Sequence, residues 1–462
     1  MPNPTVVRRY GFSSALGNVL NTFNRYRLPA PPIPGNALII VANVASGRTL
    51  TFSDDRGNSY TAVAAATSDG NQKGQIFRCP NIRNAPTEIN PELDGGGASW
   101  FDFKVLEVAF LDRDGRLDST PTGATGTSTT PAPGSLTTAV ANSLVVSFAI
   151  NDSGTQTDFT KGTGATLDLV DTFEGTAVEH KVQASPGAVN LGFTLAASRT
   201  WINVQAAFLA GDSGGLPPSG PQCVAMSHYR IPSTADPGSD TIQVPTQSGT
   251  LLVGQFIGAR ACTGITDNKS NTWSATSANV GGLPAGNTRN FKVVTPTLGE
   301  DTLLTLTTSG AGASPGDTLV VTEWTGLDGN TTVNANATGS ENTLVEWDAV
   351  SITPTAPNGV IFLTCAEQSH TAIGFLSPAG AVFLSCTNNP EVVETSPWPN
   401  DENNTWGVHF NRSAAQQTFR IVATGGAPQA FAASADWFAG PAPAEPQPFT
   451  GSFGRRRTRY AA

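Results

Sequence analysis

Charged side chains are scarce in this chain, where Asp, Glu, Lys and Arg make up 13% of the 462 residues, about half the usual share. Exposed helices normally carry many Lys, Glu and Arg side chains, so the shortage argues against a helical protein. The sequence instead has 48 Gly and 33 Pro residues and is rich in Thr, Ser and Ala. This composition favours an all-β protein with short strands joined by turns.

Residues that ligate metals or perform catalysis are also few and poorly spaced. The five cysteines include no CxxC pair, and the four histidines form no HxH or HExxH pattern, so neither a zinc site nor a disulfide framework is indicated. The adjacent carboxylates Asp54 and Asp55 would point to opposite faces of a strand, a poor arrangement for glycoside hydrolysis. We expect no cofactor, no metal and no catalytic residues, and a hydrolase is a distant third interpretation.

Long apolar runs are missing as well. The first residues, MPNPTVVRRYGFSS, lack the apolar core of a signal peptide, and the longest apolar run, ALIIVA, is too short to cross a membrane. We expect synthesis in a cytoplasm without a standard export signal, and no membrane contact.

Charge is unevenly distributed along the chain. The first 30 residues carry four arginines and no acid, and residues 451–462 carry four more and no acid, whereas the segment between them has 18 basic and 36 acidic side chains. An acidic body repels nucleic acid, and basic ends can bind an acidic surface or a neighbouring subunit. The alternative is that the ends are simply solvated tails. The candidate assembly contacts are Arg8, Arg9, Arg25, Arg27, Arg455, Arg456, Arg457 and Arg459.

The sequence contains an internal repeat. Four blocks recur in the same order: GNALIIV and SGTLLVG, EVAFLD and EWTGLD, ANSLVV and PNGVIF, and AFLAG and DWFAG. Their offsets grow from 213 through 216 to 229, as expected of a duplicated unit with a longer second copy. Each unit has the length of two sandwiches. The predicted fold class is therefore all-β, with tandem β-sandwich domains, Ig-like or jelly-roll-like, in a duplicated two-domain unit with extended basic termini.

The predicted boundaries follow the repeat and the Pro- and Gly-rich stretches. They are a basic N-terminal arm at 1–34, sandwiches at 35–116 and 117–212, a linker at 213–222, sandwiches at 223–330 and 331–440, and a Pro-rich linker with a basic tail at 441–462.

A further repeated stretch reads DDRGNSYTA at 54–62 and DNKSNTWSA at 267–275. Asp, Asn and Gly are turn residues, and the aromatic residue that follows begins a strand with a large ring for the core. The carboxylates are too few for a calcium loop. The stretch predicts a hairpin turn with an aromatic anchor.

The order of these blocks, from GNALIIV through EVAFLD and ANSLVV to WINVQAAF, resembles a β-sandwich module of tailed-bacteriophage proteins and some bacterial surface proteins. The resemblance covers most of residues 35–211 and, more loosely, 248–440. It implies a non-enzymatic virion structural protein, a head decoration or fibre component located in the virion. The implied partners are capsid or tail subunits and other copies of this chain.

The alternative function is a tail-tip or fibre adhesin that binds host surface glycans. Six of the eight tryptophans lie in the second unit, where exposed rings could stack on sugars. Trp324 and Trp437 fall in apolar runs and are expected in the core. Trp398 and Trp406 lie in a polar insertion and are the candidate glycan contacts.

Overall fold

The computed structural model describes residues 2–13, 26–94, 101–151, 159–172, 174–217, 220–230, 239–258, 260–276, 280–283, 286–309, 317–341, 346–367, 373–376, 383–385, 403–410, 414–423 and 429–440. In this part of the chain every regular element is a strand. The all-β prediction is confirmed at that level.

Strands of the first half are β1 (Thr5–Ser13), β2 (Tyr26–Arg27), β3 (Ala37–Ala45), β4 (Leu50–Asp54), β5 (Thr61–Ala62), β6 (Thr67–Ser68), β7 (Gln72–Cys79), β8 (Glu88–Leu93), β9 (Phe101–Ala109), β10 (Thr122–Ser128), β11 (Leu136–Thr138), β12 (Ser143–Asn151), β13 (Phe159–Thr160), β14 (Thr166–Asp171), β15 (Thr176–Gln183), β16 (Gly187–Val189), β17 (Thr194–Leu195) and β18 (Arg199–Phe208).

Strands of the second half are β19 (Gln222–Arg230), β20 (Ser239–Gln243), β21 (Leu251–Gly258), β22 (Ala261–Asp267), β23 (Ser274–Ala275), β24 (Val280–Leu283), β25 (Gly286–Val294), β26 (Leu303–Ser309), β27 (Thr318–Thr325), β28 (Asp328–Glu341), β29 (Glu346–Ile352), β30 (Val360–Glu367), β31 (Ile373–Leu376), β32 (Phe383–Ser385), β33 (Asn403–Phe410), β34 (Gln417–Ala423) and β35 (Gln429–Ala439).

One sheet of twelve strands runs through both halves of the chain. Its order is β23-β25-β21-β27-β19-β1-β9-β3-β7-β5, with β24 added on β25 and β6 on β7. At its centre β1 and β19 pair in parallel, with Arg9 opposite Ala225 and Tyr10 opposite Met226. The other pairs of this sheet are antiparallel. Strands from the predicted domains 35–116 and 223–330 thus belong to one sheet.

The strand order of the first half recurs in the second half. The order β1-β9-β3-β7-β5 corresponds to β19-β27-β21-β25-β23, and the three-stranded sheet β2-β8-β4 corresponds to β20-β26-β22. The five-stranded sheet β10-β18-β12-β15-β14 corresponds in the same way to β28-β35-β30-β33-β32. Short strands, β11-β16 and β13-β17 in the first half and β29-β34-β31 in the second, form the remaining sheets.

Both faces of the central strands β3, β9 and β21 are buried, and alternate residues of each strand point to opposite faces. In β3, Ile40 packs in a core with Ile89 of the β2-β8-β4 sheet, whereas Ile39 packs in another core with Val146 of the five-stranded sheet. All three isoleucines and Val146 are fully buried. Complete burial of such a side chain contributes about 1.5–3 kcal/mol.

The second half has the same layers with the faces exchanged. Phe256 packs with Leu306 of the β20-β26-β22 sheet, and Val253 packs with Phe362 of the sheet that contains β28. Val253 shares its core with Ile40 of the first half, so the two halves use opposite faces of the shared sheet for their corresponding layers. The parallel pairing of β1 with β19 produces this exchange.

Side chains of the second half also hold the backbone of the first half. The Gln243 amide accepts a hydrogen bond from the N–H of Phe159 (2.9 Å) and donates to its carbonyl oxygen (2.8 Å). The N–H of Leu167 donates to Glu300 (2.7 Å), and its carbonyl oxygen accepts from Gln247 (2.5 Å). These contacts join β13 and β14 to the segments around β20 and β26.

The two tryptophans predicted for the core are there. Trp324 and Trp437 are 0% exposed, and Trp324 packs edge-on against Phe362 with ring centroids 5.2 Å apart. Cys365, predicted as a small buried side chain, is likewise 0% exposed. Cys386 lies outside the described residues.

Candidate functional site: the arginine–glutamate seam

The candidate site is the seam where β1 joins the two halves of the chain. A bulge lies between Val6 and Arg8 in the pairing of β1 with β9. After it Arg8 and Arg9 follow each other in the strand, so their side chains leave on opposite faces of the sheet. Their exposed fractions are 2% and 4%, which means that each guanidinium must find its partners inside the protein.

Arg8 pairs with a glutamate of its own half of the chain. Its Nη1 donates to Glu107 Oε2 (2.8 Å) and to the Pro31 carbonyl oxygen (2.9 Å), and its Nη2 donates to Gln222 Oε1. Burial lowers the pKa of Arg8, but the nearby Tyr10 and Glu107 raise it more, so the guanidinium stays charged.

Glu107 is fully buried and has polar partners on both oxygens. Its Oε2 accepts from Arg8, and its Oε1 accepts from the N–H of Ile33 (2.8 Å) and from Asn36 Nδ2 (2.6 Å). A buried ion pair is tolerated when such hydrogen bonds satisfy its remaining polar atoms. The carboxylate also fixes the loop that leads into β3.

Arg9 pairs with the corresponding glutamate of the second half. Its Nη2 lies 3.5 Å from Glu323 Oε1, and its Nη1 donates to Gln247 Oε1. Glu323 Oε2 accepts from three successive backbone N–H groups, those of Gln247 (3.1 Å), Ser248 (3.1 Å) and Gly249 (3.2 Å). This loop leads into β21, as the loop held by Glu107 leads into β3.

The two glutamates occupy the same place in the repeat, as the first residues of EVAFLD and EWTGLD, but both arginines come from β1. Strand β19 has its bulge between Cys223 and Ala225, so Ala225 stands where Arg8 stands in β1. Ala225 lies between Arg9 and Glu323 in the register, and its methyl group leaves room for the guanidinium to reach across. Strand β1 therefore supplies the cation for both halves.

This arrangement corrects the predicted N-terminal arm. Residues 5–13 form a central strand, and Arg8 and Arg9 are buried contacts within the chain because each neutralises a buried glutamate. Arg27 is half-buried in β2, opposite Glu88. Arg25, Arg455, Arg456, Arg457 and Arg459 lie outside the described residues, and their role in assembly stays a prediction.

The glycan contacts likewise stay a prediction. Trp398 lies outside the described residues. Trp406 falls in β33, opposite Thr364 of β30, and the structure describes its backbone alone.

The repeated turn contains the predicted aromatic anchor in both copies. Asp54 Oδ1 accepts from the N–H groups of Arg56 (2.9 Å) and Asn58 (3.1 Å), and its Oδ2 accepts from Asn58 Nδ2 (2.7 Å) and the Tyr60 hydroxyl (2.8 Å). Asn58 Nδ2 continues to the carbonyl oxygen of Asn84 (2.9 Å).

Asp267 makes the corresponding set of hydrogen bonds in the second half. Its Oδ1 accepts from the N–H groups of Lys269 and Asn271, both at 3.0 Å, and its Oδ2 accepts from Asn271 Nδ2 (2.9 Å) and Trp273 Nε1 (2.8 Å). Tyr60 and Trp273 each pack against a core cluster. The repeated stretch is a turn closed by one aspartate beside an aromatic ring, as predicted. The prediction of a hairpin is wrong, because the strands on either side of each turn belong to different sheets: β4 pairs with β8 and β5 with β7, and β22 pairs with β26 and β23 with β25.

Replacing either aspartate tests that conclusion. Asp54→Ala and Asp267→Ala each leave an aromatic donor and two backbone N–H groups without their acceptor, so we expect each to lower the free energy of unfolding by about 1–3 kcal/mol. Asp114→Ala, at an exposed carboxylate in another turn, should change it by less than about 0.5 kcal/mol. Urea unfolding of the three variants provides the measurement, and equal losses in all three would contradict the assignment.

Other reactive side chains of the described part are buried or hydrogen-bonded within the fold. His180 Nδ1 lies 2.7 Å from Asp168 Oδ2, and burial raises the pKa of the Cys79 thiol to about 11. GDSGG at 211–215 has the spacing of an active-site serine motif that the sequence analysis missed, but the Ser213 hydroxyl donates to the Leu111 carbonyl oxygen (2.6 Å). Within the described ranges, no three His, Cys, Asp or Glu side chains are grouped to hold a metal ion.

One shallow groove, with a volume of about 460 Å³, lies on the outer layer of the first half. It lies between the loops at 130–132, 162–163 and 188–194, with Lys181 at its side. Its polar lining is mostly threonine and backbone.

In the part of the chain that the structure describes, no helix is long and apolar enough to cross a membrane. Compared with known proteins, the chain matches no family, no curated protein and no solved structure.

Proposed function

We propose that this chain is a non-enzymatic structural protein of a tailed-phage virion, a head decoration or fibre component. The observation that carries the proposal is the single sheet through both halves, joined at β1 by two buried ion pairs. Burial of both faces of the central strands packs the described layers against one another, and close packing of this kind resists deformation, as a shell or fibre component requires.

The proposal includes a duplicated unit of two β-sandwiches. Its support is the matching strand order of the two halves and the matching hydrogen bonds of Asp54 and Asp267. Within each half, the central sheet packs on a three-stranded sheet at one face and on a five-stranded sheet at the other. The five-stranded sheet then forms a second sandwich with the short outer strands.

Charged groups of the described core also favour a structural role. Arg260, which is 1% exposed, pairs with Asp317 (2.5 Å) and Asp240 (3.1 Å). Lys104 Nζ lies 2.7 and 2.8 Å from the two oxygens of Asp102, which also accepts from the Thr176 hydroxyl (2.7 Å). The first set joins two loops of the central sheet to β20, and the second joins β9 to β15 of the five-stranded sheet, so each connects two layers.

Attachment to the virion is assigned to the C-terminal tail, where four arginines follow a Pro-rich segment. Replacing Arg455, Arg456, Arg457 and Arg459 by alanine should reduce the number of copies in purified particles. The loss relative to the wild type should be larger at low salt than at high salt, because high salt screens the charge contacts of the wild type as well. Quantitative mass spectrometry of particles washed at low and high salt measures the copy number.

A variant with lysine at all four positions is the matched control, since it keeps the charge and should keep incorporation. Full incorporation of the alanine variant at both salt concentrations would refute attachment through the tail. Absence of the wild-type protein from particles would refute the virion role itself.

A further inference from the structure

Two edge strands, β10 and β28, are left open at opposite rims of the molecule. Each is the terminal strand of its five-stranded sheet, and no described strand pairs with its outer side. Strand β10 contacts β6 at one rim of the twelve-stranded sheet, and β28 contacts β24 and β25 at the other rim. The two strands hold corresponding places in the strand orders of the two halves.

Over most of their length, both edges lack the features with which proteins usually prevent edge-to-edge pairing, namely short length, charge, Pro or bulges along the edge. The one register shift of β28 against β35 lies at its start, between Asp328 and Thr332. Strand β10 has 7 residues, TGATGTS, with no charge and a regular register against β18. Strand β28 has 14 residues, and its charges lie only at the ends, at Asp328 and Glu341. From Thr332 to Ser340 it pairs with β35 without interruption.

Four other described edges are short or already bound by side chains. Strands β5 and β23 end the large sheet with only 2 residues each. At β22, Arg289 donates to the carbonyl oxygens of Cys262 and Thr263, at 2.9 and 3.0 Å. At β14, side chains of the second half already bind both polar groups of the Leu167 backbone.

We propose that β10 of one copy pairs with β28 of the next, so that copies of this chain join end to end. This inference rests on the proposed structural role and names its partner as a second copy. The chain already joins its own halves by pairing two corresponding edge strands, β1 and β19, and the new contact would extend the five-stranded sheets in the same way. The chain has a net charge of −10, and β10 and the middle of β28 carry no charge, so two copies can approach there with little charge repulsion.

Pairing of two different edges at opposite rims is a heterologous contact, which produces rings or open filaments. Backbone hydrogen bonds would supply affinity, and the alternating Thr, Asn and Gly side chains would set the register. Pairing of like edges would instead stop at closed contacts across a twofold axis.

Lysine substitutions on the two edges separate these possibilities. Thr125 of β10 and Asn336 of β28 are exposed, so Thr125→Lys and Asn336→Lys should fold normally while placing a charge in the contact. Sedimentation velocity over a concentration series should show oligomers for the wild type and monomers for either variant. A mixture of the two variants should form dimers and nothing larger, because each variant retains the edge that the other has lost.

Thr307→Lys is the matched control, since Thr307 is exposed but lies on β26, which has paired strands on both sides. It should assemble like the wild type. A wild-type protein that stays monomeric throughout the series overturns the proposal, and so does assembly that persists in both edge variants. Dimers formed by each single variant alone would show like-edge pairing and overturn the end-to-end form.

The experiments distinguish failure of the β10–β28 contact from failure of the proposed virion role. A monomeric protein that is nevertheless found in purified particles refutes the edge contact and leaves the structural role in place. Oligomers formed by a protein that is absent from purified particles would support the edge contact and refute the virion role.

Discussion

Arg9→Met is expected to lower the free energy of unfolding by about 3–5 kcal/mol, the usual cost of removing one partner of a buried ion pair. Glu323, 2% exposed, would be left buried with no guanidinium beside it. Methionine preserves most of the apolar stem of arginine, so the loss reports the charge and its hydrogen bonds. Urea unfolding of purified protein measures it.

A double-mutant cycle distinguishes the ion pair from a general packing defect. Glu323→Gln removes the buried charge, and its amide oxygen can still accept from the N–H groups of Gln247, Ser248 and Gly249. The double variant should therefore be more stable than Arg9→Met alone, with a coupling of about 1–3 kcal/mol. Additive losses would show that the two side chains act independently.

Arg56→Met is the matched control for the same chemical change. Its side chain is 52% exposed and pairs with Asp55 at 3.2 Å, and exposed pairs of this kind contribute about 0–1 kcal/mol. If Arg9→Met cost no more than Arg56→Met, the seam would not depend on the buried pair.

Local patterns in the sequence predict the elements that depend on neighbouring residues. Strand content follows from composition, and the turn at Asp54 follows from residues within six positions of it. The repeat blocks point to the two glutamates of the seam, because EVAFLD and EWTGLD align them. They do not indicate that both cations come from one strand.

Partners that are distant in sequence explain the wrong prediction for the N-terminus. Arg8 and Glu107 are 99 residues apart, and Arg9 and Glu323 are 314 apart. A pair of arginines without a nearby acid is typical of a solvated arm, and only the fold reveals their buried partners. The pairing of β1 with β19 is similarly absent from any local pattern, since it depends on two edges that meet.

Glu179 gives the chain a pH dependence of stability at neutral and alkaline pH. The side chain is 0% exposed, its Oε2 accepts from the N–H of Gly162 at 2.7 Å, and its Oε1 has no hydrogen-bond partner. Burial raises the pKa of this carboxyl to about 8; the Gly162 hydrogen bond and Lys161 oppose the rise, whereas Asp168 and Glu300 add to it. The folded protein therefore keeps Glu179 protonated at neutral pH.

The sign of the effect follows from proton linkage. An unfolded chain releases this proton near pH 4.5 and the folded chain near pH 8, so between these values the folded state binds more protons and stability falls as pH rises. The fall is complete above about pH 8 and is of order 3–5 kcal/mol. Glu300, whose charge contributes to the shift, binds the Leu167 backbone, so the contact between the halves lies beside the titrating group.

Glu179→Gln should remove this dependence. The variant keeps a neutral side chain of the same shape, so it should match the wild type near pH 4.5 and exceed its stability by a few kcal/mol at pH 8–9. Asp436→Asn is the control. Burial raises the pKa of Asp436 only to about 6, against the opposing Asn290 hydrogen bond, so this variant should change the slope of stability against pH only below about pH 6. Unfolding free energies measured from pH 4 to 9 would exclude the assignment if Glu179→Gln kept the wild-type slope between pH 6 and 8, since a group that is already ionised at neutral pH cannot produce a change there.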